Sequence, residues 1–275
     1  MPIRLLATDL DGTLLNSQSE ISPSNQQALI AAARRGVKLV VVTGRRLQAA
    51  RRFVEQIPCP VTLIASNGAL ISSGAEILYR NFLPRQTAQR VLATTRPFRP
   101  YGAALFDVPG RGQILMQNNA TPTGPLGWYL AQSREYLKQV DDLEAAITVD
   151  PVELLFGGAP TSIEAIEVLL RASAVANEIQ PTWTKYGARN LWILDIMNRG
   201  CTKGAALAYW ADRCGINPSE VMAIGDNFND LEMLEFAGLP ILMANRSPGL
   251  GPAEWPVTLS NDQDGVAWAV ERFVL

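Results

Sequence analysis

The chain has 275 residues, 48% apolar and 18% charged, with a net charge of −2 and no histidine. That length buries a full core in one large domain or two unequal ones, and the composition excludes a mostly disordered chain. The near-neutral balance sets up no field to recruit nucleic acid or an anionic membrane, and the missing histidine excludes Ser-His-Asp hydrolases, phosphohistidine phosphatases and His-ligated zinc enzymes.

Three cysteines, Cys59, Cys201 and Cys214, are scattered without CxxC spacing. They form neither a disulfide framework nor a zinc site, and they suit a reducing, cytoplasmic location. No basic segment followed by an apolar one precedes the first strand, so a signal peptide is not expected. No apolar run reaches the length of a membrane span.

Ile3-Arg4-Leu5-Leu6-Ala7-Thr8 is a nearly continuous apolar run that ends at a glycine turn. It reads as a strand buried on both faces of a parallel sheet. Asp9-Leu10-Asp11-Gly12-Thr13 leaves the carboxyl end of that strand, where open α/β sheets bind their ligands. Two acids this close repel each other unless a cation or a proton compensates. A calcium loop counted from Asp9 would put Glu20 at its twelfth position. It fails because Leu14 stands at the sixth, where a glycine is required, and because a strand precedes it instead of a helix.

Ser22-Pro23 reads as an N-cap with proline at the first helical position, opening a helix through Asn25–Arg35 with Ala28, Leu29 and Ala32 inward and a stop at Gly36. A strand Val37–Val42 ends in Thr43-Gly44-Arg45. A helix to about Gln56 follows, and then a strand Val61–Ala65 ends in Ser66-Asn67-Gly68. Strands alternating with helices, each strand ending in a polar turn, predict a doubly wound parallel sheet.

From about Leu83 the pattern changes to helices at Arg85–Arg96, Gly127–Val140 and Ser162–Ala176. Among them are strands near Tyr101–Phe106, Gly112–Gln117, Val152–Phe156, Glu178–Trp183 and Leu191–Met197. This predicts an α+β insertion over 83–197 in a core formed by 1–82 and 198–275. The core resumes with a helix Thr202–Cys214, a strand Val221–Ile224, the turn Gly225-Asp226-Asn227-Phe228-Asn229-Asp230, a helix to Ala237, a strand Leu239–Met243 and a helix Gly265–Phe273.

Four polar turns therefore share one edge of one sheet, gathering Asp9, Asp11, Thr43, Arg45, Asn67, Asp226 and Asp230, with Lys203 opening the helix that leads to the last of them. Lys203 alone reads as a solvated lysine, and Asp226 with Asp230 as a helix-capping pair. The capping reading leaves Asp226 crowding the first acid pair without purpose. Gly110–Leu115 lacks the third glycine of a dinucleotide fingerprint, and Gly200–Gly204 is too short for a Walker loop. Asn119-Ala120-Thr121 and Asn245-Arg246-Ser247 are glycosylation sequons only in a secreted protein.

Together these motifs resemble the haloacid dehalogenase superfamily, in which an Asp-x-Asp-Gly-Thr motif opens the chain. Thr43, Lys203 and the Gly225–Asp230 run match its other three motifs in order. The size of the insertion and Ser66-Asn67-Gly68-Ala69 are similar to the Cof-type subgroup, which includes sucrose-phosphate phosphatase and phosphomannomutase relatives. The resemblance implies an α/β core with an inserted cap and a phosphatase using Mg²⁺. It implies Asp9 as nucleophile and Asp11 as general acid and base. Asp9, the Asp11 carbonyl and Asp226 are implied as metal ligands, with Asn229 and Asp230 orienting Asp226 and metal-bound water, and Thr13 buttressing Asp11. Thr43 with the neighbouring amides, Gly44 among them, would hold phosphoryl oxygens, and Lys203 would neutralise Asp9.

Arg45 and Asn67 would touch phosphate or the near end of the substrate, although Arg45 reads equally well as a surface residue of a helix N-terminus. Lys185, Tyr186, Arg189 and Asn190 form a polar cluster in the insertion, read as an exposed loop or as a substrate contact. The expected partner is a small phosphorylated metabolite, sugar phosphates leading. A phosphomutase is the alternative, disfavoured because the insertion's arginines are scattered in sequence. A phospho-acceptor signalling module is disfavoured because Asp11 would hydrolyse the phosphoryl mark. Nothing in the sequence sets an oligomeric state.

Overall fold

A computed structural model of the protein describes residues 2–118, 127, 130–186 and 189–275. The chain divides into two units, one formed by Met1–Arg80 with Thr202–Leu275 and the other by Asn81–Cys201.

The first unit is built on a seven-stranded sheet. Its strands are β1 (Leu5–Thr8), β2 (Lys38–Val42), β3 (Val61–Ala65), β4 (Leu70–Ser73) and β5 (Glu76–Arg80), followed after the second unit by β12 (Val221–Gly225) and β13 (Leu239–Leu242). The order is β13-β12-β1-β2-β3-β4-β5. The first five of these in space are parallel. All four residues of β1 and all five of β3 and β12 are buried, as strands covered on both faces require. The helix Pro23–Arg34 opens as expected, with Ser22 accepting from the Asn25 amide and Ala28, Leu29 and Ala32 buried.

The antiparallel hairpin β4–β5 was not anticipated from the sequence. Its signal is Gly74 at φ +55°, the first of two residues between the paired Ser73 and Glu76. Only glycine enters such a turn without a steric penalty.

The second unit carries a six-stranded sheet formed by β6 (Gly102–Leu105), β7 (Ile114–Gln117), β8 (Leu137–Val140), β9 (Glu153–Gly158), β10 (Ile179–Tyr186) and β11 (Leu191–Asn198). The order is β10-β11-β9-β6-β7-β8, antiparallel except between β7 and β8. The helices Arg85–Thr94 and Pro160–Arg171 pack through Val91, Leu92, Ile163 and Ile166 onto Phe156, Leu194 and Ile196. Phe156 is fully buried there. Replacing it with alanine should cost about 3–5 kcal/mol and lower the melting temperature of this unit, measured by calorimetry.

The helix expected over Gly127–Val140 is corrected in its described part: Ala131–Tyr136 is a 3₁₀ turn and Leu137–Val140 is β8. Pairing with β7 overrides local preference here, because the ladder satisfies backbone groups that a helix end would leave open. Residues 119–126, which include the first sequon, lie outside the described residues. Lys185 and Tyr186 close β10, and Arg189 and Asn190 are exposed just before β11. Among the described residues no helix is long and apolar enough to cross a membrane.

Candidate active site

The chain runs from β1 outward to β2 and β3, then returns to β12 on the other side of β1. Strand order therefore reverses at β1, and such a switch point opens a crevice beyond the carboxyl ends of the strands. Asp9 follows β1 there, and its amide donates to the Ile224 carbonyl of β12 at 3.0 Å. Asp226 follows β12, so adjacent strands deliver the two carboxylates side by side.

Lys203 opens the helix Lys203–Arg213, whose N-cap Thr202 accepts from the Ala205 amide. The backbone of Gly68 lies against this helix start. A Cβ on Gly68 would stand 2.3 Å from the Thr202 carbonyl oxygen, and its φ of +105° is a glycine conformation. Lys203 points inward. Its side chain is 1% exposed, and Nζ donates to Asp9 Oδ1 and Asp230 Oδ1, both at 2.6 Å. Lys203 is therefore a buried, doubly paired cation and not a solvated surface lysine.

The other oxygen of Asp230 accepts from the amides of Asp226 at 2.9 Å and Asn227 at 3.0 Å. Both oxygens of Asp230 are thus engaged in fixing Lys203 and the Asp226 turn. Thr13 Oγ1 donates to Asp226 Oδ1 at 3.0 Å. Its bond corrects the expectation that it would buttress Asp11: the turn at Gly12, φ +80°, carries Thr13 toward β12. The same turn passes so close that a Cβ on Gly12 would lie 2.5 Å from Asp226 Oδ2.

Asp11 is held from the β2 side. Arg45 Nε and one terminal nitrogen donate to its two carboxylate oxygens at 2.6 and 2.5 Å, a bidentate fork, and the guanidinium lies 4.7 Å from the centre of the Phe53 ring. Arg45 was expected either on phosphate or at the surface; here it grips the second aspartate of the motif. Thr43 is buried, and its hydroxyl accepts from the Arg45 amide at 3.1 Å. Asn67, expected toward substrate, is fully buried at φ +50°. Its amide donates to the Thr43 carbonyl, and its side-chain oxygen accepts from Asn229 at 3.1 Å. Asn67 is a brace between three turns, and Asn229 reaches Asn67 instead of orienting Asp226. Gly44 packs on Asn67, where a Cβ would come to 3.0 Å from Oδ1.

The electrostatics follow from burial. Desolvation pushes the Asp9 carboxyl up to about 7 and, with Asp230 and Asp11 adding to it, outweighs the pull of Lys203. Asp226 is raised well above its ordinary value, by burial first and then by Asp9 and Asp230. Burial alone would lower Lys203, but Asp230 and Asp9 hold its ammonium above the usual lysine range. Three carboxylates, Asp9, Asp226 and Asp230, have ligand atoms within 4.8 Å of one another. With all three ionised, one lysine would leave two negative charges in the cluster, which a divalent cation would balance. The donors are all oxygens, as Mg²⁺ prefers. Because Asp230 is already engaged, Asp9 and Asp226 are the carboxylates that fit such an ion.

Sequence reasoning missed Asn245, which follows β13 and donates to the Gly12 carbonyl at 2.8 Å. The rule that found the acids, a polar residue just past the carboxyl end of a parallel strand, applies to it equally.

The chain belongs to the haloacid dehalogenase-like hydrolase family, whose model matches residues 6–270, and it is an enzyme of the phosphatase kind. It is 30% identical to phosphatase YwpJ of Bacillus subtilis, covering 99% of this chain and 100% of that one. It is 27% identical to pyridoxal phosphate phosphatase YbhA of Escherichia coli, covering 97% of each. Among solved structures it is similar to the phosphatase BT1666 of Bacteroides thetaiotaomicron, with a TM-score of 0.81 and 25% identity over 100% of this chain and 96% of that one.

Proposed function

We propose that this chain is a Mg²⁺-dependent phosphomonoester hydrolase acting on small phosphorylated metabolites, sugar phosphates being the leading class, with the phosphoryl group carried transiently on Asp9. The observation that carries this reading is the buried Asp9 carboxylate, held through one oxygen by a lysine that Asp230 fixes from its other side.

An oxygen of Asp9 attacks phosphorus, the phosphorus–oxygen bond to the alcohol breaks, and an aspartyl phosphate forms. With one carboxylate oxygen released from the Arg45 fork and protonated, Asp11 gives that proton to the departing alkoxide. It then takes a proton from the water that attacks the aspartyl phosphate, so inorganic phosphate leaves and Asp9 is restored. Lys203 offsets the charge that gathers on Asp9 and the transferring group, and the Thr43 hydroxyl, held by the Arg45 amide, contributes a donor for phosphoryl oxygens together with the Gly44 amide.

The metal would be held by Asp9, Asp226 and the Asp11 carbonyl. When bound, Mg²⁺ supplies positive charge that keeps both raised carboxylates ionised and spreads the charge of the phosphoryl group. The unit Asn81–Cys201 is the proposed specificity domain, choosing the leaving group. The name of the relative YbhA, a pyridoxal phosphate phosphatase, supports a small phosphate ester as substrate.

The test is phosphate release from a panel of hexose phosphates, nucleotides and cofactor phosphates, with and without Mg²⁺. Metal-dependent release that Asp9→Asn abolishes is expected. No release from any ester, together with stable phosphorylation of Asp9 by a small phosphodonor, would overturn the hydrolase.

A further inference from the structure

In the loop that follows Asp9, the Leu14 and Leu15 amides donate to the Asp9 and Leu10 carbonyls, while the Gly12, Leu14 and Leu15 carbonyls find partners elsewhere in the chain. Three asparagine side chains supply them. Asn245 Nδ2 donates to the Gly12 carbonyl at 2.8 Å, Asn25 Nδ2 to the Leu14 carbonyl at 3.4 Å, and Asn261 Nδ2 to the Leu15 carbonyl at 2.9 Å. The asparagines are themselves tied. Asn245 Oδ1 accepts from the Asn261 amide at 2.9 Å, and Asn25 Oδ1 accepts from the Ala267 amide at 2.8 Å. One residue further on, Asp262 Oδ1 accepts from the Ser17 amide at 2.7 Å.

Of the three, Asn245 acts nearest the chemistry. The Gly12 carbonyl lies one peptide plane beyond the Asp11 carbonyl, and the residue joining the two planes is a glycine at φ +80°. Glycine has no Cβ to hold that conformation, so hydrogen bonds on either side must set where the Asp11 carbonyl points. We propose that Asn245 is a positioning residue for the metal site. By gripping the Gly12 carbonyl, and being gripped in turn by Asn261, it fixes the Asp11–Gly12 peptide in the orientation from which the Asp11 carbonyl serves as a ligand. The inference rests on the Mg²⁺ reading above. It assigns a role to a residue outside every motif that carries the chemistry.

Two substitutions separate this role from general support. Asn245→Ala removes both hydrogen bonds. Asn245→Asp keeps an oxygen for the Asn261 amide but loses the donor and sets a carboxylate against the Gly12 carbonyl. Mg²⁺ affinity is measured by titration calorimetry on the substrate-free full chain, and kcat and KM are measured at saturating Mg²⁺.

Both variants are expected to bind Mg²⁺ about 10-fold or more weakly, the usual effect of removing a partner that orients a ligand. KM for the ester should stay within about twofold, because the residue acts on the metal ligand and not on substrate. If Asn245→Asp binds Mg²⁺ like the unmodified chain while Asn245→Ala does not, the tie to Asn261 is what matters and the positioning role is overturned. If both bind Mg²⁺ normally, it is overturned outright. An unmodified chain that neither binds Mg²⁺ nor hydrolyses any ester would overturn the metal-dependent reading itself, which these variants would then not be probing.

Discussion

Replacing Lys203 with methionine should abolish phosphate release and destabilise the metal-free protein in the same experiment. The side chain is 1% exposed and bonds Asp9 and Asp230 at 2.6 Å each, so its loss leaves two buried carboxylates without their shared cation. Removing one member of a buried ionic group typically costs about 3–5 kcal/mol, because the partners remain behind uncompensated. Part of that cost is relieved here by protons, since Asp9 already holds its proton up to about pH 7. The loss of stability should therefore be smaller at pH 5.5 than at pH 7.5.

Activity has no such escape, because a protonated Asp9 is no nucleophile. A fall of about 10³-fold or more is expected, on the scale of removing a cation from a phosphoryl-transfer site. Lys203→Arg should restore little, since a planar fork does not fit a closed space shaped for a single ammonium. The measurements are phosphate release and thermal melts at the two pH values. Activity within tenfold of the unmodified chain would show that Lys203 is only structural.

The core of the fold was legible because its strands are buried on both faces. Such strands read as unbroken apolar runs, and each ends at a polar turn that the eye can place on one sheet edge. The residues at those turns were legible for the same reason: Asp9, Thr43, Asn67 and Asp226 each stand just past a strand. What those side chains grip was not. Arg45 spans from the turn after β2 to Asp11, and Asn229 from the turn after β12 to Asn67. Both contacts depend on how neighbouring turns lean, which no spacing encodes. The hairpin β4–β5 escaped because β5 is only half-buried, with both ends exposed, so its apolar pattern is diluted. The strand β8 escaped for the same reason, its Lys138 and Gln139 facing solvent within a stretch that local preference reads as helix. Asn245 and Asn261 escaped because an asparagine after a strand is ordinary turn chemistry until the carbonyl it holds is known.

Mg²⁺ should offset much of the pH dependence of stability. The carboxyl of Asp9 is raised from its ordinary 3.8 to about 7, first by burial and then by Asp230 and Asp11 against Lys203. The folded chain thus binds a proton that the unfolded chain has already released. Stability from this group is full below about pH 4 and is lost as pH rises toward 7 and beyond. Asp226 is raised in the same direction for the same first reason. Each proton taken up on folding is worth about 1.4 kcal/mol per pH unit. The metal-free unit that holds the site should therefore melt lower at pH 8 than at pH 5.

A divalent cation competes for the same oxygens and replaces the protons. At about 100 times its dissociation constant it contributes about 2.7 kcal/mol, or about 5–10 °C in melting temperature. That gain should be largest at pH 8, where no proton opposes it, and should shrink toward pH 5. Calorimetric titration at pH 6 in buffers of different ionisation enthalpy should register protons released as Mg²⁺ binds, and Asp226→Asn should remove both the release and the stabilisation. A metal-free melting temperature that is flat from pH 5 to pH 8, or a gain from Mg²⁺ that survives Asp226→Asn, would mean that the buried acids are balanced within the chain and that the cation acts elsewhere.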